Sequence, residues 1–309
     1  MCKNKHYMQH LAEEAGFDPA RLDRDYNAKA TVLPEAFAAE MVRYREASVA
    51  PRADWGRHFD VVYDEESGQR IDIFGPASRS GLNPVFVFIH GGYWRALSKE
   101  DSAMMAGMLA AEGIATVAVD YRLAPEVSLA EITREVRAAL AFVWHHGREY
   151  GLDPDRISVG GSSAGGHLAA ALLAEGWQDE FGLPQDVVKF AMPVSGLFEL
   201  APVAATFPQE WMKLSPADVD RLSPIRHIPA RGCSITVAWS EHEADGFKRQ
   251  SRAYADCWAA AGGEVKAIEI ANRNHYDILM DWCSPETEMS QALLAGIRNI
   301  GSSASRNAL

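Results

Sequence analysis

Two kinds of segment alternate along most of the chain. Short runs such as 85–89 (Val-Phe-Val-Phe-Ile) are continuously apolar, as expected of strands that are buried on both faces of a sheet. The longer segments between these runs are predicted helices. The repeated strand–helix order predicts an α/β fold, in which a mostly parallel sheet carries helices on both faces. The later predicted strands are 115–119, 156–160, 187–192, 234–239 and 265–270, and the predicted helices are 99–112, 128–149, 164–175, 246–261 and 286–299.

Residues 1–50 precede this alternation and are predicted to form an N-terminal helical extension. Within the extension, residues 34–48 are predicted to form a helix. Phe37, Met41 and Tyr44 recur there at spacings of four and three, which places all three side chains on one helix face.

Two further segments interrupt the strand–helix order. Residues 57–63 and 69–74 alternate in polarity and predict a hairpin. Residues 197–229 form a long insertion between two strands, and such insertions near strand ends are typical of lids or binding loops. The bulky side chains of the insertion either line a substrate pocket or only hold the insertion against the body of the protein; these are Phe198, Phe207, Trp211 and Met212.

Composition indicates an acidic, soluble enzyme. The formal net charge is −12, from 42 acidic and 30 basic residues, whereas a nucleic-acid interface requires a basic patch. No apolar run approaches the roughly 18 residues of a membrane span, and residues 1–6 lack the apolar part of a signal peptide. Because 309 residues of which 48% are hydrophobic suffice for one large core, a single domain over residues 1–309 is predicted.

The four cysteines are interpreted as free thiols in a reducing cytoplasm, because they form neither a CxxC pair nor a zinc-like cluster. A cytoplasmic location is therefore expected. The sequence implies no metal and no cofactor, and the expected partner is a small molecule rather than nucleic acid or membrane. The oligomeric state stays open, with a homodimer as one option.

The segment Gly161-Ser162-Ser163-Ala164-Gly165 fits the pattern G-x-S-x-G. It lies between a predicted strand and a predicted helix, which is the context of a nucleophile elbow. In such an elbow a sharp turn exposes the serine hydroxyl beside the N-terminal N–H groups of the helix. Ser163 is therefore the predicted covalent nucleophile of a hydrolase or acyl transferase.

An activated serine requires a general base, and the base requires an orienting acid. His275 is the best candidate base, because it follows the last predicted strand and precedes the last helix. The acid is expected in the loop after strand 234–239. Spacing alone does not choose between Glu243 and Asp245, whereas Glu241 lies closest to the strand and is expected to point away.

The segment His90-Gly91-Gly92-Tyr93-Trp94 directly follows strand 85–89. Glycines at this position let the backbone turn its N–H groups toward a developing oxyanion. Gly91, Gly92 and Tyr93 are the candidate donors from this loop, and Ala164 after the nucleophile supplies another.

These motifs, in this order, resemble the α/β-hydrolase superfamily and within it the kynurenine formamidase (arylformamidase) group. Residues 90–94 match the group's H-G-G-x-W, and residues 195–200 are similar to its S-G-V-F-D-L. The segment from Glu241 to Ser251 resembles the group's acid loop, and 275–277 resembles its H-F-D. Residues 120–126 also look like a segment of hormone-sensitive-lipase-like esterases, as does the stretch around the nucleophile.

The resemblance implies that Glu243 is the acid of the triad, where the group has aspartate, and that Asp245 is the fallback. It implies an aryl amide substrate with a small acyl group, N-formylkynurenine being the family's own. Trp94, Phe198, Trp211 and Tyr276 are the residues expected to bind the substrate. A carboxylesterase for small aryl or alkyl esters is the nearest alternative, and a binding protein that keeps the scaffold without catalysis is a more distant one.

Overall fold

A computed structural model describes residues 9–76 and 81–301 of the chain. One eight-stranded sheet runs through it in the order β1-β2-β4-β3-β5-β6-β7-β8. The β1–β2 and β2–β4 pairs are antiparallel, and every later pair in that order is parallel. The strands are β1 Gly56–Asp64, β2 Gln69–Phe74, β3 Asn83–Ile89, β4 Ala115–Val119, β5 Leu152–Ser162, β6 Val188–Val194, β7 Ser234–His242 and β8 Val265–Asn274.

Helices and short 3₁₀ turns connect these strands. Residues 9–13 are also helical, and the first 3₁₀ turn follows them directly at Glu14–Gly16. The remaining α-helices are α1 Pro19–Tyr26, α2 Pro34–Trp55, α3 Ala106–Ala111, α4 Leu129–His146, α5 Ala164–Leu173, α6 Gln209–Met212, α7 Pro216–Leu222, α8 Asp245–Ala260 and α9 Glu288–Arg298. In this part of the chain no helix combines the length and the apolar character that crossing a membrane requires.

Both faces of the sheet are covered, as the continuously apolar strands predicted. On β3, Val85 and Val87 belong to the core on one face, which includes residues of α4, α5 and α8. Phe86 and Phe88 belong to the core on the other face, where residues of α3 and α9 lie. The ring of Trp282 stands edge-on to both phenylalanines, with centroid distances of 5.9 and 5.6 Å.

The strand predictions and the hairpin are confirmed, but the predicted helix 99–112 is wrong over its first half. The structure has a 3₁₀ turn at Lys99–Asp101 and a separate helix only from Ala106. Ser102 ends the turn with φ −131° and ψ 21°, and its hydroxyl donates to the carbonyl of Ser98 at 2.7 Å. A serine side chain that bonds the backbone in this way competes with helix propagation.

The N-terminal extension is helical as predicted, and α2 continues beyond residue 48 to Trp55. Ion pairs hold the extension against α8. The Arg249 guanidinium lies 2.5 Å from a Glu14 carboxylate oxygen and 2.8 Å from one of Asp25. Tyr26 is fully buried beside them and donates to Glu14 at 3.0 Å. The extension is therefore fixed near the carboxyl ends of the central strands, where the sequence predicts the site.

Candidate active site

Ser163 occupies a strained turn between β5 and α5. Its backbone lies at φ 59° and ψ −118°, in a region that residues with a side chain rarely adopt. Two backbone hydrogen bonds hold the turn. The Ser163 N–H donates to the Val194 carbonyl at 2.9 Å, and the Ser163 carbonyl accepts from the His167 N–H at 3.0 Å. A Cβ at Gly165 would collide with the Ile89 carbonyl, so the close approach of strand and helix requires glycine there.

The loop that follows β3 turns just as sharply. Gly92, Tyr93 and Trp94 all have positive φ, at 98°, 50° and 55°. A Cβ on Gly91 would come within 2.7 Å of the Ser162 carbonyl, which brings this loop directly beside the serine turn. Within the described residues, the N–H groups of Gly92 and Tyr93 donate to no acceptor. The Ala164 N–H is the first of α5 and has no intrahelical partner, so three backbone donors are available beside Ser163.

Buried side chains stabilise this loop through hydrogen bonds to its carbonyls. The Tyr121 hydroxyl donates to the His90 carbonyl at 2.9 Å, and the two rings stack with their centroids 4.1 Å apart. The Nδ1 of His90 lies 2.9 Å from the Gly91 carbonyl, and its Nε2 lies 3.7 Å from an Asp120 carboxylate oxygen. His90 therefore contributes to the shape of the loop rather than to the cavity.

His275 lies just after β8 and contacts the carboxylate of Glu243, which lies just after β7. The distance from His275 Nδ1 to Glu243 Oε2 is 2.8 Å, and both residues are buried. Asp245, in contrast, is exposed at the first position of α8. Glu241 accepts from the Asn272 N–H at 2.8 Å. Of the three carboxylates in this loop, Glu243 alone contacts His275 among the described residues.

Ser163 and His275 line one cavity of about 360 Å³. The cavity has largely apolar and aromatic walls and is bordered by the loop after β3. The insertion contributes Phe207 and Trp211 to the wall, and the Trp211 indole N–H donates to the Tyr93 carbonyl at 3.2 Å. Tyr276 lines the cavity as well, and burial raises the pKa of its phenol. The expectations for Trp211 and Tyr276 thus agree with their positions.

The two other residues expected to bind the substrate lie elsewhere. Trp94 is fully buried, and its ring stands edge-on to His167 at 5.1 Å. Its positive φ turns the side chain away from the cavity and into the core. Phe198, near the start of the insertion, is also fully buried, and its ring stacks on that of Tyr254 with the centroids 4.1 Å apart. The predictions that Trp94 and Phe198 line the pocket are wrong. For Met212 the sequence left two alternatives open, and its buried position outside the cavity wall agrees with packing against the body of the protein.

The N-terminal extension forms a large part of the cavity wall, which the sequence did not predict. Helix α2 contributes Phe37, Met41 and Tyr44, and the preceding turn contributes Asn27, Ala28 and Lys29. The sequence did indicate that Phe37, Met41 and Tyr44 share one helix face. The helix alone could not show that this face borders the cavity.

The site combines a strained serine, a buried histidine–carboxylate pair and backbone N–H groups that have no acceptor in the described part of the chain, all around one apolar cavity. This arrangement has the parts that acyl transfer requires: a nucleophile, a base with its orienting acid, and donors for an oxyanion. Because each part follows a different strand of the parallel region of the sheet, the carboxyl ends of those strands bring the parts together.

Comparison with known proteins agrees with this architecture. A solved structure from a Silicibacter species, named as a thioesterase, superposes with a TM-score of 0.75 and 26% identity, covering 90% of this chain and 98% of that one. The family profile BD-FAE matches residues 71–209. An Arabidopsis thaliana protein, named as an isoprenylcysteine α-carbonyl methylesterase, is 24% identical over 242 residues, which are 71% of this chain and 51% of that protein.

The fold and these neighbours define an α/β hydrolase, as the sequence predicted. A kynurenine formamidase of Salmo salar is 31% identical over 242 residues, which cover 76% of this chain and 80% of that protein. The chain belongs to the kynurenine formamidase family.

Proposed function

We propose that this protein is a serine hydrolase that removes a small acyl group, formyl above all, from an aryl amide. The observation that carries the proposal is the arrangement around one cavity: a serine in an elbow turn and a histidine whose Nδ1 is 2.8 Å from a buried glutamate. A nucleophile with a base oriented by a third group is the general signature of acyl transfer through a covalent intermediate.

In the proposed reaction the Ser163 hydroxyl attacks the acyl carbon, and His275 takes its proton through Nε2. Glu243 accepts the Nδ1–H bond, which holds the imidazole in the tautomer that leaves Nε2 free as a base. The N–H groups of Gly92, Tyr93 and Ala164, with Gly91 as a further candidate, bind the oxyanion of the tetrahedral intermediate. His275 then protonates the leaving amine, and water hydrolyses the acyl-enzyme by the same steps.

The walls of the cavity support an aromatic leaving group. Tyr276 and Phe37 meet edge to face at 5.0 Å on one side, and Tyr93 and Trp211 do so at 6.4 Å on another. A volume of about 360 Å³ is at the small end of ligand pockets, which favours a single substituted ring over a long chain. The family membership points to the same class of substrate, because the relative from Salmo salar is named as a kynurenine formamidase.

An ester substrate is the second candidate, since the same acyl-enzyme chemistry serves esters. The similarity to a protein named as a methylesterase favours it, as does the resemblance of the nucleophile segment to lipase-like esterases. The two candidates differ in the bond that is cleaved and share the catalytic residues.

A substrate panel tests the proposal and separates the candidates. We expect N-formyl anilides to be hydrolysed with a higher kcat/KM than larger anilides and than p-nitrophenyl esters of long acyl chains. The reverse order for long acyl esters would favour the esterase.

A fluorophosphonate probe tests the nucleophile independently of substrate choice. It should label the wild-type protein and the Ser162→Ala control, but not Ser163→Ala, whose turnover should fall by about 10⁶-fold because triad members act as a unit. Absence of labelling in the wild type would instead favour a binding protein without catalysis.

A further inference from the structure

We propose that the Tyr276 hydroxyl donates a hydrogen bond to a neutral oxygen on the aromatic ring of the substrate's leaving group, and that this contact selects among substituted rings. The place of the contact relative to the reacting bond rests on the proposed function. The hydrogen bond to the ligand itself does not.

Three tyrosines line the cavity, and their hydroxyls differ in what they bind. The Tyr44 hydroxyl donates to the Tyr276 carbonyl, and the Tyr93 hydroxyl donates to the Tyr26 carbonyl. The Tyr276 hydroxyl, in contrast, has no hydrogen-bond partner in the part of the chain that the structure describes. Of the three hydroxyls, that of Tyr276 is therefore the one available to a ligand.

The Tyr276 residue is fixed on several sides before any ligand binds. Its backbone N–H donates to the Asn274 side chain at 2.9 Å, and its carbonyl accepts from the Tyr44 hydroxyl at 2.5 Å. Its ring stands edge to face with Phe37 at 5.0 Å and with His275 at 5.4 Å between centroids. A donor fixed in this way loses little conformational entropy when a ligand binds to it.

The Tyr276 hydroxyl is a donor at neutral pH, because burial raises the pKa of the phenol and the proton stays in place. In the empty cavity, water satisfies a half-buried hydroxyl of this kind. A ligand that displaces this water has to offer an acceptor, or the hydrogen bond is lost. Such a site therefore discriminates against an analogue that lacks the acceptor.

The place of Tyr276 beside the base indicates which part of the substrate it meets. In the proposed reaction the acyl oxygen is bound by backbone N–H groups, and His275 protonates the leaving nitrogen. Because both reacting atoms already have partners, the acceptor for Tyr276 belongs to the ring that leaves with the nitrogen. A single neutral donor among apolar rings suits the oxygen of an alcohol or ether, since a charge would be partly desolvated there.

The motif H-F-D, which residues 275–277 resemble, has phenylalanine at the position of Tyr276. The hydroxyl is thus an addition to the pattern of the kynurenine formamidase group. The inferred substrate class is an aryl formamide whose ring carries an oxygen substituent. Phenylalanine is also the variant that removes the hydroxyl and keeps the ring.

Two series of formanilides that differ in one group test the proposal. The probes carry either a methoxymethyl or a propyl substituent at position 2, 3 or 4 of the ring, with release of the arylamine as the readout. We expect the ratio of kcat/KM, methoxymethyl over propyl, to be about fivefold higher in the wild type than in Tyr276→Phe at one ring position or more, which is the size of one neutral hydrogen bond. Comparing the two proteins cancels the intrinsic reactivity and the hydrophobicity of the probes.

The control Tyr150→Phe removes a hydroxyl that also has no hydrogen-bond partner among the described residues but lies outside the cavity wall, and it should keep the wild-type ratio. The same ratio in Tyr276→Phe and in the wild type at all three ring positions would overturn the inference and leave the proposed function intact. An equal loss of activity on both series gives that result, because it assigns the hydroxyl a structural role only.

Calorimetric binding to the Ser163→Ala variant makes the test independent of turnover. At one ring position or more, the ratio of affinities, methoxymethyl over propyl, should be about fivefold higher in Ser163→Ala than in Ser163→Ala/Tyr276→Phe. If the wild type hydrolyses no probe but this difference is found, the inference stands and the proposed reaction fails. Equal affinity ratios in the two variants at all three positions would overturn the inference.

Discussion

Glu243 and Asp245 lie two positions apart in one loop and in different environments. Glu243 is 5% exposed, and its Oε2 lies 2.8 Å from the imidazole of His275. Asp245 is exposed in the first turn of α8, where a carboxylate is stabilised by the helix dipole. Sequence spacing leaves both residues as candidates, because a loop can turn either of them inward.

We expect Glu243→Gln to lower kcat by about 10³–10⁴-fold, because an amide stabilises the wrong tautomer of the imidazole and cannot balance the imidazolium. Asp245→Asn should stay within about threefold of the wild type, since surface changes away from such contacts have small effects. Single-turnover kinetics on a formanilide would compare the two variants at equal protein concentration. A larger loss in Asp245→Asn would contradict the assignment of the acid.

The positions of some site residues could be predicted from the sequence, and those of others could not. Ser163 and His275 could be found because each directly follows a strand, and strand ends converge on one edge of the sheet. Trp94 and Phe198 could not be located, because their direction depends on local backbone angles that no periodicity encodes. The φ of 55° at Trp94 turns its ring into the core.

Helix α2 covers the sheet and also contacts the segment beside His275. Its Tyr44 is buried and donates to the Tyr276 carbonyl at 2.5 Å, directly beside His275. The helix was predictable from its own periodicity. Its contact with residue 276 was not, because more than two hundred residues separate the partners and only the fold brings them together.

We expect Tyr44→Phe to destabilise the protein by about 1 kcal/mol, because the half-buried Tyr276 carbonyl loses its hydrogen-bond donor. Since that carbonyl follows His275 in the chain, kcat/KM should fall as well. Urea unfolding gives the free energy, and Tyr150→Phe is the matched control, because Tyr150 makes ring contacts but no hydroxyl bond among the described residues. Equal stability of the two variants would contradict this role of α2.

For the whole molecule, the order of strands and helices was readable because buried parallel strands carry a distinctive apolar pattern. The protonation states of buried side chains could not be predicted from the sequence. His167 is fully buried in α5, and its Nε2 lies 2.9 Å from the Leu222 carbonyl at the end of α7. Burial lowers the pKa of His167 to about 4. The His167 imidazole thus couples α5, which follows Ser163, and the insertion to the pH of the solution.

The pH dependence of folding stability follows from this coupling. In the unfolded chain a histidine takes up a proton below about pH 6.5, whereas folded His167 stays neutral down to a pH of about 4. The unfolded state therefore binds more protons in this window, and stability falls as the pH drops from about 6.5 to 4. At 1.4 kcal/mol per pH unit, the loss due to His167 is about 3 kcal/mol.

We expect His167→Gln to remove this part of the acid sensitivity, because glutamine keeps an N–H donor for the Leu222 carbonyl and does not titrate. Urea unfolding of both proteins at pH 7 and pH 4.5 isolates the effect, since the acidic groups that both share cancel in the difference. His58→Gln, at an exposed histidine, should keep the wild-type pH dependence. If His167→Gln loses as much stability on acidification as the wild type, His167 is not the titrating group.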